Sequence, residues 1–159
     1  MDWLKILGPT LLIITGGGGI VTWIIQNRIQ KLQKLQEKLR DERIEKYNEI
    51  VKPIILIYSK FGGGQDKAVK LLQSYDYRKS SFELNFWGSD RVINAFNEMM
   101  QFTYRQEREG KIEDSNRILL TLLGKFLLEI RKDIGNSKTK LKSVDMLRSM
   151  ISDIDNYKI

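Results

Sequence analysis

Neither cysteine nor histidine occurs in the chain. The first absence removes disulfide staples and thiolate chemistry. The second removes the commonest general base and the commonest metal ligand. Proline is nearly as scarce, with two residues, so helices can run long without interruption. Acidic residues fall short of basic ones, 20 against 27, leaving a net charge of +7. That balance favours anionic neighbours: phospholipid headgroups, nucleotides or nucleic acid.

Sites of known chemistry are missing as well. No P-loop, GxSxG, HExxH, CxxC or EF-hand loop is present. Glu107, Glu109, Glu113 and Asp114 gather around one expected turn, where solvated capping explains them. Asp153 and Asp155 read as surface charge rather than metal ligands. Taken together, these shortages weigh against an enzyme, and no cofactor, metal or catalytic residue is expected. Abundant Leu, Ile, Lys, Glu and Arg point instead to an all-α fold.

Charge is absent from one long stretch, Ile6 to Asn27. As a helix its roughly 22 residues reach about 33 Å, enough to cross a hydrocarbon core near 30 Å. Lys5 and Arg28 bound it, and Trp3 and Trp23 lie towards its ends, where indoles favour the membrane interface. A cleavable signal peptide fits less well, because Asp2 offsets the basic Lys5 and the first alanine is Ala68, so no A-x-A site exists. Cleavage among the glycines would strand the apolar IVTWII. Residues 1–27 are therefore expected to be an uncleaved transmembrane signal-anchor. Only Lys5 precedes the span, whereas Arg28, Lys31, Lys34, Lys38, Arg40, Arg43 and Lys46 follow it, which predicts an N-terminus outside and a C-terminal domain in the cytoplasm. Gly16, Gly17, Gly18 and Gly19 interrupt the span, each costing about 0.5–1 kcal/mol relative to alanine in a helix. They fit close packing between spans of a homo-oligomer, a gate, or simple tolerance of glycine by lipid.

Residues 28–61 read as a juxtamembrane stem. Ile25, Ile29, Leu32, Leu35 and Leu39 form an apolar stripe at helical spacing, with Arg28, Lys31, Lys34 and Lys38 one residue behind. A strict heptad puts Arg28 and Glu42 at core positions in one frame and Gln36 and Arg43 in the other, so a coiled coil and a looser bundle both fit. Ile44, Tyr47, Val51, Ile54 and Tyr58 continue the stripe past Pro53, where the helix kinks or restarts. Gly62 to Gly64 then make a turn.

Residues 65–159 are expected to form a cytosolic helical domain. A helix over 65–86 carries Val69, Leu72, Tyr75 or Tyr77, Phe82 and Phe86 as its apolar residues. After a break at Trp87-Gly88, Ser89 caps a helix ending at Gly110, with Val92, Ile93, Phe96, Met99, Met100 and Tyr104 inward. Asp114 or Ser115 caps the most hydrophobic helix, with Gly135 as its C′ residue. Ser143 opens a last helix whose inward residues are Val144, Leu147, Met150, Ile151 and Ile154. The short connections imply mostly antiparallel packing.

Two groups could bind a ligand. Arg131, Lys132, Asn136, Ser137, Lys138, Lys140 and Lys142 combine cations with amide and hydroxyl groups, as a phosphate site would. A helix end complemented by cations and followed by a solvated loop also explains them. Trp87, Ser89, Arg91 and Asn94 put an aromatic that could stack a base beside a helix N-terminus. Trp87 as a plug in the core is the alternative. No pattern for reading duplex DNA is present.

At FWGSDRVINAFNE (Phe86–Glu98) and LLEIRKDIGNS (Leu127–Ser137) the chain resembles a diffuse group of small bacterial membrane proteins with one N-terminal span. The resemblance implies a charged helix and a helical domain at the bacterial inner (cytoplasmic) membrane, with no catalytic residues to carry over. In layout and charge the chain also looks like CRISPR-associated membrane effectors, in which a cytosolic domain senses a cyclic oligoadenylate and the membrane part disables the cell. The resulting expectation is a membrane-anchored, non-enzymatic sensor of an anionic nucleotide in antiviral defence, acting through oligomer packing. A membrane-tethered protein-interaction module without a small-molecule ligand is the alternative. Protease treatment of inverted inner-membrane vesicles tests the orientation: the domain should be digested and an N-terminal tag protected. The reverse pattern would overturn the orientation.

Overall fold

Strong helix formers with few breakers give helices throughout. The computed structural model describes the backbone at residues 4–58, 64–110 and 112–157, and their side chains from Gly19 onward apart from Ile20, Gly64 and Gln65. Among the described residues every regular element is helical: α1 (Leu4–Tyr58), α2 (Gly64–Leu72), α3 (Tyr75–Trp87), α4 (Asp90–Glu109) and α5 (Ser115–Asp133), followed by short 3₁₀ turns at Val144–Met146 and Ile154–Asn156. The chain divides into two units, Met1–Asp41 and Glu42–Ile159.

The first unit is the leading part of α1. Val21, Trp23, Ile24 and Ile25 are exposed, as are Ile29, Leu32, Leu35 and Leu39. Among the described residues no helix is long and apolar enough to cross a membrane. Most of the expected span Ile6–Asn27, with Gly16, Gly17 and Gly18, lies outside the residues whose side chains are described. Gly19 is exposed, and a Cβ there would meet open space.

The second unit holds the core. Tyr47, Ile50 and Ile54 of α1 join Tyr77 and Leu84 of α3, Val92, Phe96 and Met99 of α4, and Leu120, Leu123, Phe126 and Ile130 of α5. The last part of α1 runs through Pro53 and does not restart there. The proline ring removes one intrahelical N–H, but its side chain is fully buried. Packing therefore offsets the lost hydrogen bond. Gly62 and Gly63, expected as a turn, lie outside the described residues.

The helix expected over 65–86 is two helices. Ser74 breaks it: its Oγ donates to the Leu71 carbonyl at 2.7 Å and accepts from the Tyr77 N–H at 3.2 Å. A serine that serves both neighbouring backbones ends one helix and caps the next. α2 has one fully buried side chain, Ala68. The inward face of α3 is Tyr77, Ser80 and Leu84. Tyr75, Phe82 and Phe86 point outward, 78%, 64% and 69% exposed. Polar contacts with α1 select that face, because Ser80 Oγ donates to a Glu49 carboxylate oxygen and Lys46 Nζ meets Glu83 at 3.0 Å.

α4 and α5 pair antiparallel, with Phe96 against Phe126 (ring centroids 5.4 Å) and Glu98 against Lys125 (2.6 Å). Ala95 and Phe102 are buried on α4, while Tyr104, expected inward, is exposed. Gly110 ends α4 at φ 81°. Gly135 ends α5 at φ 119°, its N–H bonding to the Lys132 carbonyl and that of Asn136 to the Arg131 carbonyl. This is the Schellman pattern, which glycine permits because a positive φ costs it nothing.

The last helix is not formed. Val144–Ile154 folds as turns, although Leu147 and Ile154 are buried as the spacing suggested. An aspartate side chain competes for the backbone here: Asp145 accepts from the Lys142 N–H at 2.7 Å. The segment lies close against α5 because Gly124 has no side chain. A Cβ there would stand 2.5 Å from the Ser143 carbonyl oxygen. Overpacking of this kind typically costs about 1–3 kcal/mol, so Gly124→Ala should lower the urea midpoint correspondingly. An unchanged midpoint would refute the close approach.

Candidate functional site

The two polar groups singled out in the sequence lie on different turns, at the start of α4 and the end of α5. A single buried side chain lies beside both helix ends. Tyr47, 2% exposed, donates its hydroxyl hydrogen to Asp133 Oδ2 at 2.5 Å. The backbone N–H of Ser89, at the N-terminus of α4, acts on the same hydroxyl oxygen. Arg43 approaches Asp133 Oδ2 at 3.5 Å. Asp133, at the end of α5, and Ser89, at the start of α4, thus both lie beside Tyr47.

The electrostatics follow from this burial. Desolvation first, then the hydrogen bond to Asp133 and its charge, hold the Tyr47 hydroxyl well above the ordinary tyrosine value of 10.0. Arg43 and the Ser89 N–H act in the opposite sense without cancelling the shift. Burial likewise raises Tyr77 and Tyr58.

The cations of the loop fall into two classes. Arg131 Nε donates to Thr139 Oγ1 at 3.3 Å, and Lys132 Nζ pairs with Glu129 Oε1 at 2.6 Å. Thr139 also accepts from the Leu141 N–H at 3.3 Å. Arg131 therefore holds the loop's shape, and Lys132 is engaged along its own helix. Asn136, Ser137, Lys138, Lys140 and Lys142 are exposed. Among the described residues, Lys138, Lys140 and Lys142 take part in no ion pair. Arg91 is exposed on the first turn of α4, while Trp87 is half-buried at the end of α3. Among the described residues no hydrogen bond or ion pair joins Trp87 or Arg91 to the loop.

Sequence reading missed Tyr47, Asp133 and Thr139 as polar partners. Tyr47 was legible as a member of an apolar stripe, and its hydroxyl carried no separate signal. Elsewhere, a cavity of about 810 Å³ at the start of α5 is lined by residues including Glu113, Asp114, Asn116, Arg117 and Tyr157. Its principal charges satisfy each other, Arg117 meeting Asp114 at 2.9 Å. Asp114 occupies the N-cap position at φ 55° without a side-chain capping bond. Among the described residues no group of three or more acidic side chains is placed to hold a metal. Compared with protein-family models, curated proteins and solved structures, the chain matches none.

The raised Tyr47 value has a testable consequence. A folded pKa above the unfolded one contributes stability that is complete below the unfolded value, 10.0, and is lost as pH rises through the folded value. Tyr47→Phe removes the shorter of the two hydrogen bonds to Asp133 Oδ2 and should cost about 1–3 kcal/mol at neutral pH. The gap to wild type should narrow in urea titrations repeated above pH 10.0. A pH-independent gap would show that the hydroxyl is not so constrained.

Proposed function

We propose that the protein is a membrane-anchored, non-enzymatic sensor whose basic helical domain binds an anionic nucleotide. The observation that carries the reading is the set of exposed cations Lys138, Lys140 and Lys142 on a loop held in shape by Arg131 and Thr139. Arg91 is exposed on the first turn of α4. Flexible lysines beside Asn136 and Ser137 supply charge together with oriented hydrogen-bond donors, the combination that phosphate oxygens require. Arg131 shapes the loop, Lys132 is engaged along α5, and both are secondary to the exposed lysines. The charge-free stretch Ile6–Asn27 and the exposed Trp23 and Ile25 within it support the anchor. The cytoplasmic face of a bacterial inner membrane is the corresponding placement, and antiviral defence through a cyclic oligoadenylate is the context that the layout suggests.

A second reading, a tethered protein-interaction module, is favoured by the outward face of α3. Phe82 and Phe86 there stack edge to face at 5.4 Å, and both are more than half exposed. Exposed apolar faces of this kind mark association surfaces.

Thermal shift separates the two. A cyclic oligoadenylate should raise the Tm of the detergent-solubilised full chain, less so as salt is increased, and Lys138→Glu with Lys140→Glu should remove the rise. No shift with any nucleotide, beside loss of a stoichiometric protein partner in Phe82→Ser, would favour the second reading.

A further inference from the structure

The start of α5 carries polar groups that the lysine loop, at the other end of the same helix, does not use. Asp114 stands at the N-cap position without a side-chain capping bond. The Ser115 N–H donates to the Ile112 carbonyl at 3.2 Å, and the Ile118 N–H to that of Asp114 at 3.0 Å. Among the described residues the N–H groups between them, of Asn116 and Arg117, have no acceptor. Open helix starts are common; the buried side chain at this one is not. Ser115 is 7% exposed and lines the cavity of about 810 Å³. By helical spacing it shares the face of Leu119, Leu122 and Phe126. Among the described residues its hydroxyl makes no hydrogen bond. A hydroxyl so withdrawn from water normally has a partner, and the cavity is where one can be supplied.

The rest of the lining identifies the class of ligand. Arg117 Nε and Nη2 both donate to Asp114 Oδ2, at 3.3 and 2.9 Å. Among the described residues this pairing leaves Nη1 of the guanidinium and Oδ1 of the carboxylate unused, a free donor beside a free acceptor. Asn156 adds an amide, and Tyr157, packed against the core, adds an aromatic wall. A hydroxyl group both donates and accepts, so two hydroxyls on adjacent carbons match such an array. A phosphate group matches it poorly. Glu113 and Asp114 outnumber Arg117 along the wall, and oxygens that only accept would face like charge. A metal cation fits no better, since the helix start disfavours positive charge and, among the described residues, no three acidic side chains converge.

We propose that the cavity at the start of α5 binds a small ligand bearing a vicinal diol, either a free sugar or the ribose of a nucleoside. The Ser115 hydroxyl, Arg117 Nη1 and the Asn116 N–H supply donors, and Asp114 Oδ1 and Glu113 supply acceptors. Tyr157 covers the C–H face of the ring, as aromatic walls of mostly apolar pockets do. Asp114 is also a positioning residue, because its other oxygen fixes the guanidinium of Arg117. This inference goes beyond nucleotide sensing at the lysine loop and does not depend on it. In a cyclic oligoadenylate one hydroxyl of each ribose is esterified, so that ligand presents no vicinal diol.

Saturation-transfer NMR on the detergent-solubilised full chain tests this, because it detects weakly held ligands. The probes are methyl riboside and adenosine, each beside its 2′-deoxy counterpart, which lacks the diol. At least one diol probe should show transfer several-fold above its deoxy counterpart. Transfer to adenosine alone identifies a nucleoside ligand; transfer to methyl riboside, with or without adenosine, identifies a sugar. Ser115→Ala and Arg117→Gln should each reduce the signal several-fold at an unchanged Tm. Asn156→Ala, at an exposed position, reads the same wall if Ser115→Ala lowers the Tm. Lys138→Glu with Lys140→Glu should leave the signal as it is. No transfer from either diol, equal transfer from the deoxy probes, or a signal that survives Arg117→Gln would overturn the proposal. So would displacement of the diol by inorganic phosphate, or loss of the signal in the double lysine variant. A chain that holds a diol through Arg117 yet binds no anionic nucleotide would overturn the sensor reading and leave this site standing.

Discussion

The hydrogen bond from Tyr47 to Asp133 constrains the second unit more than any other single contact. Apolar burial supplies most of the driving force but is non-directional. Many arrangements of α1, α4 and α5 could bury Ile50, Phe96 and Phe126. A buried hydroxyl that must reach one particular carboxylate admits few, because leaving that bond unmade at such depth is costly. Asp133 also sits at the C-terminal end of α5, where the helix dipole disfavours a carboxylate. Its negative charge is tolerated there because Tyr47 and Arg43 supply hydrogen and charge.

The same contact explains how the basic residues are divided. Arg43, Lys46, Arg131 and Lys132 face protein groups and help hold the helices and loop in place. Lys138, Lys140 and Lys142 extend from a loop whose geometry is already fixed by Gly135 and Thr139. A binding surface profits from this division, since a rigid frame lowers the ordering cost that mobile lysines would otherwise add.

Much of the fold was legible in the sequence because its punctuation is strong. Gly110 and Gly135 stand where positive φ is needed, and Ser89 stands at the start of α4. The helix read as most hydrophobic, α5, contributes Leu120, Leu123, Phe126 and Ile130 to the core. The misreadings have local causes. In α3 large aromatic residues suggested the inward face, yet Ser80, through Glu49, turned the smaller Tyr77–Leu84 face inward. In the last segment the apolar period was real, but the Asp145 side chain engaged the backbone at its start and the segment formed turns. In the candidate site the cations were visible individually. What lies beside both the end of α5 and the start of α4 is a tyrosine hydroxyl, and no spacing rule on one helix reports a partner 86 residues away.

The Ser74 break has an energetic consequence for α2. A helix of nine residues is too short to persist unaided, and among its described side chains Ala68 is the one fully buried, with Leu72 half-buried against the core. Once Ser74 uncouples it from α3, α2 lacks the cooperative support of a longer helix. It should therefore open and reclose on its own, at a free-energy cost well below that of global unfolding. The second unit thus carries one segment of low local stability beside a core that unfolds as a whole.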